Sequence, residues 1–263
     1  MPMDALVTAV TAAGGLVVGD QLEIVVERLG AHADLRRPWW ACPSCQAPAG
    51  AAALVPVVRV VARHRGCRSC GTPVAHPLRP AILALVSAVV MGGFAARLGA
   101  DPVLPAFVVL AAALVAVSAV DLERLIIPNR ILYPAAGAIT ALLLVGAVAD
   151  DRWGSMARAA IAAVAAFAAF FVVHAVAPRG MGFGDVRLAG VVGLATGWLG
   201  LGHAFVAFLA AFVLGSVVGT VVMVVSGQGR RTRVPFGPFL AAGAVVAVVV
   251  GNPIVRVLFH RGA

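Results

Sequence analysis

Apolar side chains do not alternate with polar ones along this chain. They run on for fifteen to twenty-three residues and then give way to polar turns. Eight such runs are legible, at roughly 5–27, 80–97, 102–120, 131–149, 157–177, 187–201, 203–225 and 236–258. About twenty apolar residues of helix cross the hydrocarbon core of a bilayer, so each run predicts a transmembrane helix. A membrane β-barrel would show alternating segments instead. The expected fold class is all-α, a polytopic membrane protein with about eight transmembrane helices. The sixth run is short and glycine-rich, which predicts close packing or a partly re-entrant element. One connection is long: residues 28–79 form a polar insert rich in proline and arginine, between a first helix within 1–27 and a seven-helix core within 80–263.

Composition sharpens this picture. The 263 residues are 62% hydrophobic and only 12% charged, which excludes a soluble domain. The net charge of +9 comes from arginine alone, since the chain has no lysine. These arginines follow the connections, so they read as topology signals, and no nucleic-acid partner is expected. With the 28–79 insert placed in the cytoplasm, fifteen of the twenty arginines lie on the cytoplasmic side. Both termini then lie outside, in a multi-pass protein whose lipid bilayer is its first partner. Residues 1–27 hold no Lys or Arg, so a signal-peptide n-region is not evident and the first run is expected to be a retained helix.

All four cysteines fall in the insert, as Cys42-Pro-Ser-Cys45 and Cys67-Arg-Ser-Cys70, with twenty-one residues between the pairs. That spacing is close to the one for a structural four-thiolate zinc site. The insert is thus expected to be a small cytoplasmic zinc-binding module; free thiols or disulfides are the competing reading, and a reducing cytoplasm disfavours the latter. His64 and His76 are surplus to a tetrahedral site.

Two acidic residues stand out. Asp121 ends an apolar run and opens Asp121-Leu122-Glu123-Arg124-Leu125-Ile126-Ile127-Pro128-Asn129. Asp185 follows three closely spaced glycines in Gly180-Met181-Gly182-Phe183-Gly184-Asp185. Carboxylates at membrane depth are costly and usually functional. The topology puts both at the cytoplasmic ends of their helices. Together they suit a dyad in which one ionised aspartate activates a water while its protonated neighbour polarises a carbonyl. The plainer readings are a membrane-edge residue paired with Arg124 for Asp121, and a helix N-cap for Asp185. Trp153, Trp198 and Tyr133 near span ends read as interface aromatics. His174 and His203 read as packing or interfacial residues.

The order of these pieces resembles the type IV prepilin peptidase family, the prepilin leader peptidases/N-methyltransferases, over nearly the whole chain. Four features carry the likeness: Gly19 to Arg28, the tetracysteine loop, Asp121 with Ile126-Ile127-Pro128-Asn129, and Gly180–Asp185 with Pro235-Phe236-Gly237-Pro238-Phe239 downstream. The resemblance implies a GxGD-type aspartic endopeptidase with Asp121 and Asp185 as the catalytic pair and Gly182 and Gly184 as motif glycines. Phe236 and Phe239 are candidates for lining the substrate groove, against a plain helix-entry turn. The implied substrate is a prepilin or pseudopilin of a type IV pilus or type II secretion system, cut after a glycine that ends a short basic leader. Methylation of the new N-terminus with S-adenosylmethionine is a further implied activity.

The chain departs from the family pattern near its start. Gly19-Asp20-Gln21-Leu22-Glu23 stands where Gly-Ser-Phe-Leu-Asn is usual, which weakens the methyl-transfer expectation. Asp20 and Glu23 are candidates for binding the leader's positive charge, or for pairing with Arg28 or Arg79. Two alternatives stay open: a related intramembrane aspartic protease with another substrate, and a non-enzymatic zinc-bearing scaffold or ion transporter using the two aspartates as ligands. A transporter would be expected to show paired halves, and none is visible.

Overall fold

The computed structural model describes residues 2–30, 45, 69–70, 78–177, 180–226 and 235–259. Cys42, Cys67, His64 and His76, with most of the insert, lie outside the described residues. Among the described residues all regular structure is helical, in eight elements: α1 Pro2–Gly30, α2 Arg79–Leu98, α3 Leu104–Arg124, α4 Asn129–Ala149, α5 Trp153–Val176, α6 Phe183–Leu199, α7 Leu201–Ser226 and α8 Gly237–Phe259. Seven are long and apolar enough to cross a membrane; α6, with 17 residues, falls just short by length. The expected polytopic all-α class is what the chain forms.

Local chemistry sets the boundaries. Proline stands at the first or second helical position of α2 and α3, where its missing N–H has no intrahelical role and its fixed φ suits the helix. Gly200, at φ 149°, forms the single-residue reversal between α6 and α7, a conformation open in practice only to glycine. Pro128, extended at φ −72° and ψ 124°, caps α4.

Helix α3 is the buried centre. Phe107, Leu110, Ala111 and Val117 on it are fully enclosed. Its neighbours are α1, α2, α4, α8 and, more lightly, α6. Helix α7 presents Val213, Val217, Val221 and Val224 outward, as a lipid-facing helix does. Lipid tails are as apolar as the core, so association here rests on close van der Waals packing. Glycine supplies it in three helix pairs. Gly15 and Gly19 set α1 directly on the α2 backbone, Gly193 and Gly197 set α6 on α5, and Gly243 sets α8 on α7. The first two pairs are four apart, the small-xxx-small spacing. The glycines of the sixth run therefore serve close packing.

Trp198 departs from its expected place. Trp153 and Tyr133 are exposed, as interface aromatics are, but Trp198 is 1% exposed and belongs to the core. It sits one residue before the α6 terminus, yet α6 is covered on several sides, so the span end is not a lipid-facing end.

A Cβ at Gly193 would lie 2.6 Å from the Ala162 carbonyl oxygen, whereas nothing lies within 4 Å of one at Gly219. Gly193→Val is expected to cost about 1–3 kcal/mol of stability by overpacking, read as a lower unfolding midpoint in detergent. Gly219→Ala should leave the midpoint unchanged or raise it.

Candidate active site

Asp121 sits in the last turn of α3 and is 4% exposed. A buried carboxylate needs hydrogen-bond donors. One comes from the first residue of α8, where the Gly237 N–H donates to Asp121 Oδ2 at 2.9 Å. Helix N-termini leave their first N–H groups without intrahelical partners and carry partial positive charge. The chain thus aims one helix start at the side chain of another helix end. Only glycine fits there, because a Cβ at position 237 would come 2.7 Å from the same Oδ2. The plainer reading of Asp121, a membrane-edge residue paired with Arg124, gives way to this contact.

Immediately beyond Asp121 the backbone turns sharply. Leu125 takes the left-handed conformation, φ 56° and ψ 37°, with its N–H donating to the Asp121 carbonyl at 2.9 Å. A bulky non-glycine residue there is an outlier of the kind concentrated at functional sites. The turn ends the helix and leads through Ile126 and Ile127, outside regular structure, to Pro128 and Asn129.

Asp185 lies in the first turn of α6. It is the third helical residue, not the N-cap; Gly182 holds the cap position. Its Oδ2 accepts from the Gly182 N–H at 3.2 Å, so it too is held at a helix start, here its own. Gly184 faces Ile127, and a Cβ on it would come 2.8 Å from the Ile127 Cβ. The glycine motif therefore lets the α6 start press onto the segment that leaves Asp121. Asp121 stands close enough for its charge to act on Asp185 through space.

Three contacts secure this assembly, and none was visible as a pair in the sequence. Arg187 donates to Asn129 Oδ1 and lies over the Phe183 ring at 4.5 Å. It thereby ties the α6 start to the α4 start. His174 Nδ1–H donates to the Met181 carbonyl at 2.8 Å, which fixes the glycine turn. Gly237, passed over in favour of its flanking phenylalanines, supplies the donor to Asp121. The signal for it was present in the Pro-Phe-Gly-Pro-Phe run. Phe236 itself packs with Phe170, Phe212 and Phe239 in an aromatic group at the α8 start.

Asp20 and Glu23 are both buried on α1, at 2% and 4% exposure. Glu23 pairs with Arg79 at 3.0 Å, and Arg79 reaches on to Glu123 at 2.9 Å. One guanidinium thus links α1, α2 and α3. Of the four cysteines, Cys45 and Cys70 are described and exposed. Removing one member of a buried ion pair leaves the other charge uncompensated. Arg79→Ala is therefore expected to destabilise the protein by about 3 kcal/mol. The double variant Glu23→Gln with Arg79→Met should regain much of that loss in the same thermal unfolding measurement.

Comparison with known proteins bears on this site from outside. Residues 108–224 match the model of the type IV leader peptidase family, and residues 14–97 match the bacterial peptidase A24 N-terminal domain. A prepilin leader peptidase/N-methyltransferase of Burkholderia pseudomallei (strain 1026b) is 30% identical over 277 residues, covering 91% of this chain and 84% of that protein. One of Bacillus subtilis (strain 168) is 28% identical over 241 residues, covering 92% and 93%. One of Pseudomonas putida is 28% identical over 267 residues, covering 91% and 89%. No solved structure matches. The two family matches bracket Asp121, Asp185 and the α1–α2 pair, and the relatives align over nine-tenths of the sequence: the chain belongs to the type IV leader peptidase family.

Proposed function

We propose that this membrane peptidase is an aspartic endopeptidase of the GxGD type, with Asp121 and Asp185 as its catalytic dyad. The observation that carries the reading is the convergence of two carboxylates at one end of the bundle, each gripped by a backbone N–H at a helix start. Two like charges in one partly buried site do not ionise together cheaply, so the pair shares a proton. The ionised member draws a proton from water as that water attacks the scissile carbonyl, and the protonated member donates to the developing oxyanion. Gly237 and Gly182 N–H groups each hold one Oδ2 in place, which leaves the other carboxylate oxygen for water or substrate.

The substrate is a type IV prepilin or pseudopilin, cleaved after the glycine that ends its basic leader. Support comes from the family and from the names of its relatives, prepilin leader peptidase/N-methyltransferase. The glycine turn of Gly182 and Gly184 lets an extended segment approach the backbone. Phe236 and Phe239 then border the groove for the hydrophobic helix that follows the cleavage point. The arginine bias puts the dyad and the cysteine insert on the cytoplasmic side, where a basic leader stays. Glu23 reaches a leader only if Arg79 swings away, so its pairing supports a role in holding α1 against α2.

The relatives' names carry a methyltransferase, for which S-adenosylmethionine would be the methyl donor. The replacement of serine and asparagine by Asp20 and Glu23 makes that second step the weaker part of the proposal. Cys42, Cys45, Cys67 and Cys70 form a donor set suited to structural zinc; bound there, the metal would cross-link the insert and take no part in proton transfer. Zinc at about one per chain is the expected metal content, lost in Cys42→Ser.

The test is cleavage of a prepilin-type substrate by the purified chain in lipid, with products weighed by mass spectrometry. Cleavage after the leader glycine is expected, and a further methyl mass would show transfer. Gly237→Ala should lower kcat about tenfold to a hundredfold, since misplacing a catalytic group by about 1 Å has that scale of effect. A correctly folded wild type that leaves several such substrates intact would overturn the proposal.

A further inference from the structure

The end of the bundle opposite the aspartates holds a cavity that the proposed reaction does not use. There α2 and α6 finish and α3, α5 and α7 begin. Asp121 is seventeen residues along α3 from this end, about 25 Å at the helical rise. Between these termini lies a cavity of about 250 Å³. Drug-sized ligands take pockets of roughly 300–1,000 Å³, so this one suits a small group.

Its lining is basic. Arg97, Arg152 and Arg158 reach it, against one lining carboxylate, Asp101. Asp101 is taken by Arg152, whose Nη1 donates to Oδ1 at 3.0 Å and Oδ2 at 2.8 Å. That pairing, with the Arg152 guanidinium over the Trp198 ring at 5.2 Å, fixes one wall. Arg158 is held by the neutral Ser155 hydroxyl at 2.9 Å. Neither Arg97 nor Arg158 has a carboxylate partner among the described residues.

Two buried polar groups complete the lining. Trp198 is 1% exposed, and its indole N–H has no hydrogen-bond partner among the described residues. A buried donor left unmade costs free energy; this N–H is enclosed and does not open onto the cavity, so what the lining has in surplus is the charge of its arginines. His203 is 7% exposed and bonded through Nε2 to Asn252 Oδ1 at 2.8 Å. The lining therefore offers donors and positive charge to a compact acceptor, the pattern that guanidinium groups present to phosphate.

We propose that this cavity binds a phosphate group, held by Arg97 and Arg158. Two sources offer that chemistry: the headgroup of an anionic phospholipid in the leaflet opposite the dyad, and free inorganic phosphate. Basic pockets between transmembrane helices are suited to the first. The site is independent of the peptidase reading, because no residue in it approaches Asp121 or Asp185.

The experiment uses the full chain in two arms. In nanodiscs and by native mass spectrometry, phosphatidylglycerol is compared with phosphatidylcholine. In detergent, inorganic phosphate is compared with chloride at equal ionic strength, by thermal shift. Retention of phosphatidylglycerol, weakened about tenfold or more in Arg97→Gln with Arg158→Gln, supports the headgroup source. Stabilisation by phosphate alone, lost in the same variant, supports the free ion. The single variants Arg97→Gln and Arg158→Gln should each weaken either ligand, which keeps the test decisive if the double variant folds poorly. Absence of both effects overturns the proposal. So does an equal effect in wild type and in a folded arginine variant, single or double.

Discussion

A carboxylate enclosed at the end of a membrane helix must be given a donor, and at Asp121 the donor comes from a residue 116 positions away, the Gly237 N–H. That one bond decides much of the architecture. It requires α8 to start at the level where α3 ends. It requires residue 237 to lack a side chain, and it sets the aromatic group of Phe236 and Phe239 beside the same pocket. The helix start has orphan donors and partial positive charge to offer; the buried carboxylate has negative charge and lone pairs to satisfy. Each removes the other's cost.

Asp185 repeats the arrangement by local means, taking the Gly182 N–H at the start of its own helix. The two halves meet because Gly184 has no Cβ to hold Ile127 away. The left-handed turn at Leu125 then carries the chain from Asp121 to that contact, and Arg187 fastens it at Asn129. Such precision needs rigid helices behind it. In lipid, rigidity comes from backbones brought close, which is what Gly193 and Gly197 provide between α5 and α6. A loosely packed α6 would let Asp185 drift from Asp121.

Much of this was legible in the residues. Eight apolar runs foretold eight helices with boundaries within a few positions, because a bilayer imposes length and continuity on each. Both aspartates were singled out, since a charge at membrane depth is rare without a role. What escaped was the partner of each group. Gly237 and Arg187 act through contacts far apart in sequence, and His174 through one across the glycine turn; no periodicity encodes those. The plainer reading of Asp185, as a cap, rested on the usual preference for Ser, Asp and Asn; here glycine caps and the aspartate reaches back from the third position. Trp198 was read as an interface aromatic from its place near a span end, but neighbouring helices bury that end. Cys42 and Cys67 fall outside the described residues, so the tetracysteine module rests on its spacing.

The central claim is that Asp121 and Asp185 work as one unit. Groups that act together show non-additive losses when removed singly and together. The most direct measurement is the single-turnover rate of leader cleavage for Asp121→Asn, Asp185→Asn and the double variant, each checked for wild-type unfolding behaviour. The account predicts that each single variant falls to the background rate and that the double variant falls no further. A folded single variant that keeps a rate within about tenfold of wild type, a barrier change of only about 1.4 kcal/mol, would contradict it.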